Sequence, residues 1–298
     1  MNSTGLIKTP SQSFSRRHRR ELIEAVRKLE SPNFTAKLAD YAGRPINSAI
    51  KYMPKTISNG MSAALRAAIF KCLTIAIDSV GEPRHKILTP DWSAVMISGA
   101  SGAFGGFFGP VALPFELFIT TTIMLRSIAN IADQEGEDIQ ELETMLACLE
   151  VFAIGGRGGG EVDIDYYAVR MVMSKLTKEL AVLLMERGAV SASSPIVAKL
   201  VGEIVTRFGL VISEMSASSA IPLIGAFGGA TVNMIFMDYF QRVSHGHFTI
   251  RRLEKIYGVT AVRTAYQQQL ALLHAAERKN TFLKPGSSGF HAHTHADR

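Results

Sequence analysis

Two cysteines in 298 residues set the first limit. Cys72 and Cys148 each sit among apolar residues at helical spacing. They are too few for a disulfide framework and unsuited to a four-ligand zinc site, so they read as reduced core residues. HExxH, GxSxG and CxxC do not occur, which removes the usual signatures of zinc proteases, serine hydrolases and thiol redox proteins. No stretch alternates apolar and polar residues in the manner of a strand. An apolar segment of the signal-peptide kind is missing from the first 30 residues, so the cytoplasmic side is the expected location.

Charge is scarce in two places. Met215–Met237 holds 23 residues without one, and a second uncharged run extends from Trp92 to Phe115. Both contain the same pentapeptide, Gly102-Ala103-Phe104-Gly105-Gly106 in one and Gly225-Ala226-Phe227-Gly228-Gly229 in the other. Gly102 and Gly106, like Gly225 and Gly229, are four apart, which puts small residues on one helical face and lets two backbones approach. At ~1.5 Å per residue either run is long enough for a bilayer core of ~30 Å. Their Gly, Ser and Thr content, and the breaks at Pro110, Pro114 and Pro222, suit hairpins better than straight spans. Two readings are open: hairpins buried in a helical bundle, or hairpins dipping into a membrane.

The 47% apolar content is ample for a large core. Of the formal net charge of +6, residues 1–28 supply most, through Lys8, Arg16, Arg17, Arg19, Arg20, Arg27 and Lys28 against Glu21 and Glu24. The basic character therefore belongs to an N-terminal arm, and with no aromatic interleaving or known module it argues against nucleic acid as a partner. From Ser15 the chain reads as a helix with Leu22, Ile23, Val26 and Leu29 on one face. Such a helix either lies on anionic lipid, with Arg16, Arg17, Arg19 and Arg20 as contacts, or packs on the body with its charges in water.

Further helical patterns cover 35–52, 57–80, 111–135, 142–154, 165–187, 195–214, a segment leading out of the second glycine run towards Tyr257, and 259–279. Gly81, Gly136, Gly188 and Gly258 offer stops, and Ser194-Pro195 a start. GGRGGGE at 155–161 fits neither the Walker pattern nor GxGxxG and reads as a flexible connector. The tail 280–298, with His291, His293 and His295, reads as disordered and supplies no metal site. The expected fold class is all-α: a multi-helix bundle with two glycine-rich apolar helical hairpins related as a candidate internal repeat. Residues 1–34 form a basic arm and amphipathic helix, and 35–279 the helical domain.

Each glycine unit leads into a helix with an early acid, Glu116 or Asp238. Arg126, Asn130 and Asp133 share a face of the first helix, and Asp238, Gln241, Arg242 and His245 share a face of the second. A polar stripe on an apolar helix needs partners. Glu116, Arg126, Asp238, Arg242 and His245 are therefore a candidate polar cluster: an interhelical network, a lipid-headgroup site or a catalytic group. No cofactor and no metal are implied.

With those residues in view, the chain resembles the EcsC family of bacterial proteins. The phrases that carry the likeness are TTTIMLRSIANIADQEGED (120–138), LACLEVFAIGG (146–156), RFGLVISE (207–214), IPLIGAFGGATVNMIFMDYFQ (221–241) and HGHFTIRRLEKIYG (245–258), so the likeness is expected over 60–258, with the basic arm and the tail outside it. Members commonly have His where Tyr239 stands and Lys where Met215 stands, and this chain departs at both. The family takes its name from a component associated with an ABC transporter that affects secretion. The resemblance therefore implies a membrane-associated accessory or interaction protein, with a transporter as one candidate partner and anionic lipid as another. It brings no catalytic residue with it. The other reading is an enzyme or a lipid- or small-ligand-binding protein built around the polar cluster.

Overall fold

The computed structural model describes residues 14–30, 55–83, 113–156, 165–189, 191–219 and 229–283. These residues form helices and no strand: α1 Arg16–Glu30, α2 Lys55–Asp78, α3 Leu113–Gln134, α4 Leu142–Gly155, α5 Tyr166–Arg187, α6 Pro195–Ser219, α7 Gly229–Tyr257 and α8 Val259–Leu283. The all-α expectation holds. The helix expected over 35–52, the connector from 157 to 161, the first glycine unit, Gly225 and the histidine tail lie outside the described residues.

The bundle is built around α4. Its sequence, LETMLACLEVFAIG, is apolar apart from Glu143, Thr144 and Glu150, and every residue from Thr144 to Gly155 is buried. A helix buried on every side needs neighbours all round, and α2, α3, α5, α6 and α7 supply them. At its C-terminal end Phe152 meets Phe208 of α6 at a centroid distance of 4.9 Å, and Phe208 meets Phe240 of α7 at 5.3 Å. Burying each of these rings contributes about 1.5–3 kcal/mol.

The first two glycines of the 155–161 run belong to this packing and not to a connector. A Cβ on Gly155 would come within 2.3 Å of the Phe240 ring, and one on Gly156 within 2.4 Å of the Arg207 backbone carbonyl oxygen. Gly246 serves the same end where α1 crosses α7, since a Cβ there would stand 2.7 Å from Leu29 Cγ. Gly229 is the first residue of α7.

α1 lies on α7 and α8 with Leu22, Ala25, Val26 and Leu29 buried. Its apolar face is thus covered by protein, and Arg16, Arg17, Arg19 and Arg20 are all exposed. Among the described residues one helical stretch, Gly60–Asp78, is long and apolar enough to cross a membrane. It buries Leu65, Ile69, Cys72 and Leu73 in the core and exposes Arg66 and Lys71 on the other side.

Candidate functional site

Three helices bring charged groups together inside the bundle. α4 offers Glu143, Leu146 and Glu150, which step along one face at i, i+3 and i+7. α5 starts at Asp165, whose carboxylate accepts from the Tyr167 backbone N–H at 3.3 Å, and this cap fixes the first turn carrying Tyr166, Tyr167 and Arg170. The last turns of α7 carry His247, Arg251, Glu254 and Lys255.

Arg170 and Glu254 join α5 to α7. Arg170 Nη1 donates to Glu254 Oε1 at 2.7 Å and Nη2 to Oε2 at 2.6 Å, while the Tyr167 hydroxyl donates to Oε1 at 3.1 Å. Behind this pair the Tyr166 hydroxyl lies 3.0 Å from His247 Nδ1, and the Tyr166 and Tyr266 rings stack at 5.4 Å. His247 is fully buried. Burial, reinforced by Arg170 and Arg251, pushes its pKa well below the ordinary value, so the ring is neutral. A second knot holds α7 to the loop before α4. Glu137 accepts from Arg251 Nε at 3.3 Å and from Lys255 Nζ at 2.9 Å, and Glu143 accepts from Arg251 Nη2 at 3.1 Å. Burial alone would raise the Glu137 pKa, but Arg251 and Lys255 outweigh it and hold the carboxyl below its usual range.

Between these knots lies Glu150, 2% exposed. The Thr177 hydroxyl donates to its Oε1 at 3.0 Å, and its buried Oε2 has no hydrogen-bond partner among the described residues. Burial pushes this carboxyl up to about 7, although Arg170 and Arg251 pull the other way. Cys148, two residues earlier, is buried as well; its thiol is pushed up by burial and unreactive, and Cys72 is pushed up to about 12 for the same reason.

A cleft of about 560 Å³ opens over Glu150. Its charged lining includes Glu143, Arg170, Lys178, Arg251, Glu254 and Lys255, and its apolar lining Leu146, Ala181, Val182, Met185 and Val259. A site of this size, mostly apolar with a few converging polar groups, has the dimensions of a small-molecule site. Among the described residues no three His, Cys, Asp or Glu side chains are grouped to hold a metal ion.

A second groove, of about 750 Å³, runs between α1 and α8 and is lined in part by Phe14, Arg19, Leu22, Tyr257, Val259 and Leu272. Tyr257 anchors the start of α1 there, accepting from the Ser15 N–H at 3.2 Å with its hydroxyl 2.8 Å from His18 Nδ1. Val259 lines both openings, so they flank the corner between α7 and α8.

The residues expected to form a polar cluster are distributed differently. Asp238 and Arg242 pair with each other on the outside of α7, one turn apart. His245 Nδ1 is 3.2 Å from Glu135 Oε1, beside Arg252, which reaches both Glu135 and Glu21 at 3.2 Å. Arg126 is half-buried on α3, and the Glu116 side chain lies outside the described residues. α3 and α7 do pack together, but Arg126, Asp238, Arg242 and His245 line neither opening. Tyr239 is a core residue whose hydroxyl donates to the Gly155 carbonyl at 2.8 Å.

Glu150, Arg170, Thr177 and Glu254 were not expected as site residues. One signal was present: Glu150 is a lone acid inside the apolar phrase LACLEVFAIGG, and a charge there needs a partner.

These features define an all-helical protein with a charged cleft at one side of its central helix. The chain belongs to the EcsC protein family, whose model matches residues 16–253. Comparisons with curated proteins and with solved structures give no match. The family match begins at the first residue of α1, so that helix lies within the shared region and not outside it as the resemblance alone suggested. Glu143, Glu150, Arg170, Lys178 and Arg251 also fall inside it.

Proposed function

We propose that this EcsC-family chain is an accessory protein working at the cytoplasmic, anionic surface of a membrane, in support of a transport or secretion system. The observation behind this reading is the α1–α8 face. Arg16, Arg17, Arg19 and Arg20 are exposed on α1, Arg17 paired with Glu21, and the groove lined by Arg19 also carries the exposed apolar residues Val259 and Leu272. Basic residues near an anionic bilayer contribute ~1 kcal/mol each, and apolar side chains beside them add contact area. Since the apolar face of α1 is occupied by α7 and α8, α1 meets lipid through charge and not by embedding that face.

Fractionation of cells expressing the full chain tests this, with membranes washed in high salt, then carbonate, then detergent. Release by high salt is the expected result. Recovery wholly in the soluble fraction would overturn the reading, and a need for detergent would transfer the anchor to apolar segments such as the two glycine runs. The alternative, a pocket around Glu116, Arg126, Asp238, Arg242 and His245, draws less support, because Asp238 and Arg242 pair with each other along α7 and neither lines an opening.

A further inference from the structure

The α4–α5–α7 cleft has features that neither the helical packing nor the membrane reading uses. Glu150 forms part of its floor as a fully buried carboxyl with one oxygen unpartnered among the described residues. Helix packing does not require an acid here, since an apolar side chain would fill the position without the desolvation penalty. Ion pairing leaves one cation over. Glu254 is taken by Arg170, while Glu137 and Glu143 are taken by Arg251 and Lys255. Lys178, exposed at the rim, makes no ion pair among the described residues. Glu150 cancels that charge only in part, because burial holds its carboxyl partly protonated near neutral pH, and in that form it can donate a hydrogen bond through the unpartnered Oε2. The cleft therefore offers the Lys178 ammonium, which has no ion-pair partner among the described residues, above a buried and partly protonated acid.

Beyond Lys178 the same face of α5 turns apolar, through Ala181, Val182 and Met185, and continues onto the surface. Val182 and Met185 are 49% and 77% exposed, and Val259 stands beside them at the corner of α7 and α8. A ligand matching both the charged and the apolar lining has an anionic head and an apolar body.

We infer that the cleft binds a single-chain amphiphile with an anionic head, the head lying between Lys178 and the Glu150 floor and the chain along Val182, Met185 and Val259. The head is recognised by the Lys178 charge and by donors in the floor; the chain is recognised by area. This site shares Val259 with the α1–α8 groove but includes none of the α1 arginines, and it does not depend on the chain meeting a bilayer.

Titration calorimetry on the full chain, with ligands below their micellar concentrations, tests the inference using decanesulfonate, decanol and decylammonium. These share one chain and differ in head charge. Decanesulfonate is expected to bind tightest and decylammonium weakest. Lys178→Glu lowers decanesulfonate affinity about tenfold, or about 1.4 kcal/mol, and Met185→Asp weakens binding of all three. Both positions are exposed, so the folded state survives either change, which circular dichroism checks. A variant with Arg16, Arg19 and Arg20 changed to Gln keeps the decanesulfonate affinity of the parent. The inference is overturned if the alcohol or the ammonium binds as tightly as the sulfonate, if none of the three binds, or if Lys178→Glu has no effect. Loss of binding in the arginine variant alone would also overturn it, placing the amphiphile at α1. Failure of any of these kinds leaves the salt-release result for the membrane reading untouched.

Discussion

Arg170 and Glu254 meet fork to fork across the α5–α7 interface, at 2.7 and 2.6 Å, with side chains only 13% and 5% exposed. The chain between them is long, yet the pair is parallel, bidentate and closed off by Tyr167. Removing one partner leaves the other as an uncompensated buried charge. Glu254→Leu or Arg170→Met alone is expected to cost about 3–5 kcal/mol of unfolding free energy, and the double change much less than the sum of the two. Urea denaturation of the three variants checks this. Additive losses would show that the pair does not act as a unit.

Glu150 makes the stability depend on pH with a definite sign. Its folded pKa of about 7 lies above the ordinary glutamate value of about 4.3. Between those values the folded state holds more protons than the unfolded one, so its contribution falls as pH rises through that window and is lost above about 7. Glu150→Gln removes this slope. Relative to the parent, the variant should gain up to about 3 kcal/mol between roughly pH 4.5 and pH 7.5. His247 acts in the opposite sense, since its depressed pKa costs stability as pH falls below about 6.5. For that reason the difference between parent and variant, and not the parent curve alone, is the quantity to measure. A constant difference across the range would mean that Glu150 titrates normally.

Two glycines give opposite expectations for the same substitution. Gly156→Ala would drive a Cβ into the Arg207 backbone, which cannot swing aside as a side chain can, and is expected to destabilise by about 1–3 kcal/mol or more. Gly60, in α2, has nothing within 4 Å of where a Cβ would stand. Gly60→Ala should therefore stabilise by up to about 1 kcal/mol through helix propensity. Thermal unfolding of both variants separates a packing glycine from a merely tolerated one.

Much of this architecture is legible in local sequence. Gly81, Gly136, Gly188 and Gly258 are readable as helix ends, and each has positive φ, between 67° and 87°. Those stops need only a residue without a Cβ at the place where the chain turns left-handed. Ser194-Pro195 likewise marks the start of α6. The cleft was not legible in the same way. Arg170 and Glu254 are 84 residues apart, and nothing in either helix states which face will meet the other. Asp238, Arg242 and His245 do share a face, but one turn of helix is enough to bring Asp238 and Arg242 into an ion pair with each other. Periodicity gives the face a residue occupies, while burial decides whether its charge has to find a distant partner. Gly156 illustrates the same limit: a glycine-rich run looks like a connector until the neighbouring backbone is in place.

The most direct test of the membrane reading is vesicle co-sedimentation of the full chain, with phosphatidylcholine vesicles compared with vesicles rich in phosphatidylglycerol. Binding is expected to the anionic vesicles alone, to weaken steeply with salt, and to fall by at least about tenfold when Arg16, Arg19 and Arg20 are changed to Gln. Equal binding to neutral vesicles, or anionic binding unaffected by the three substitutions, would contradict it.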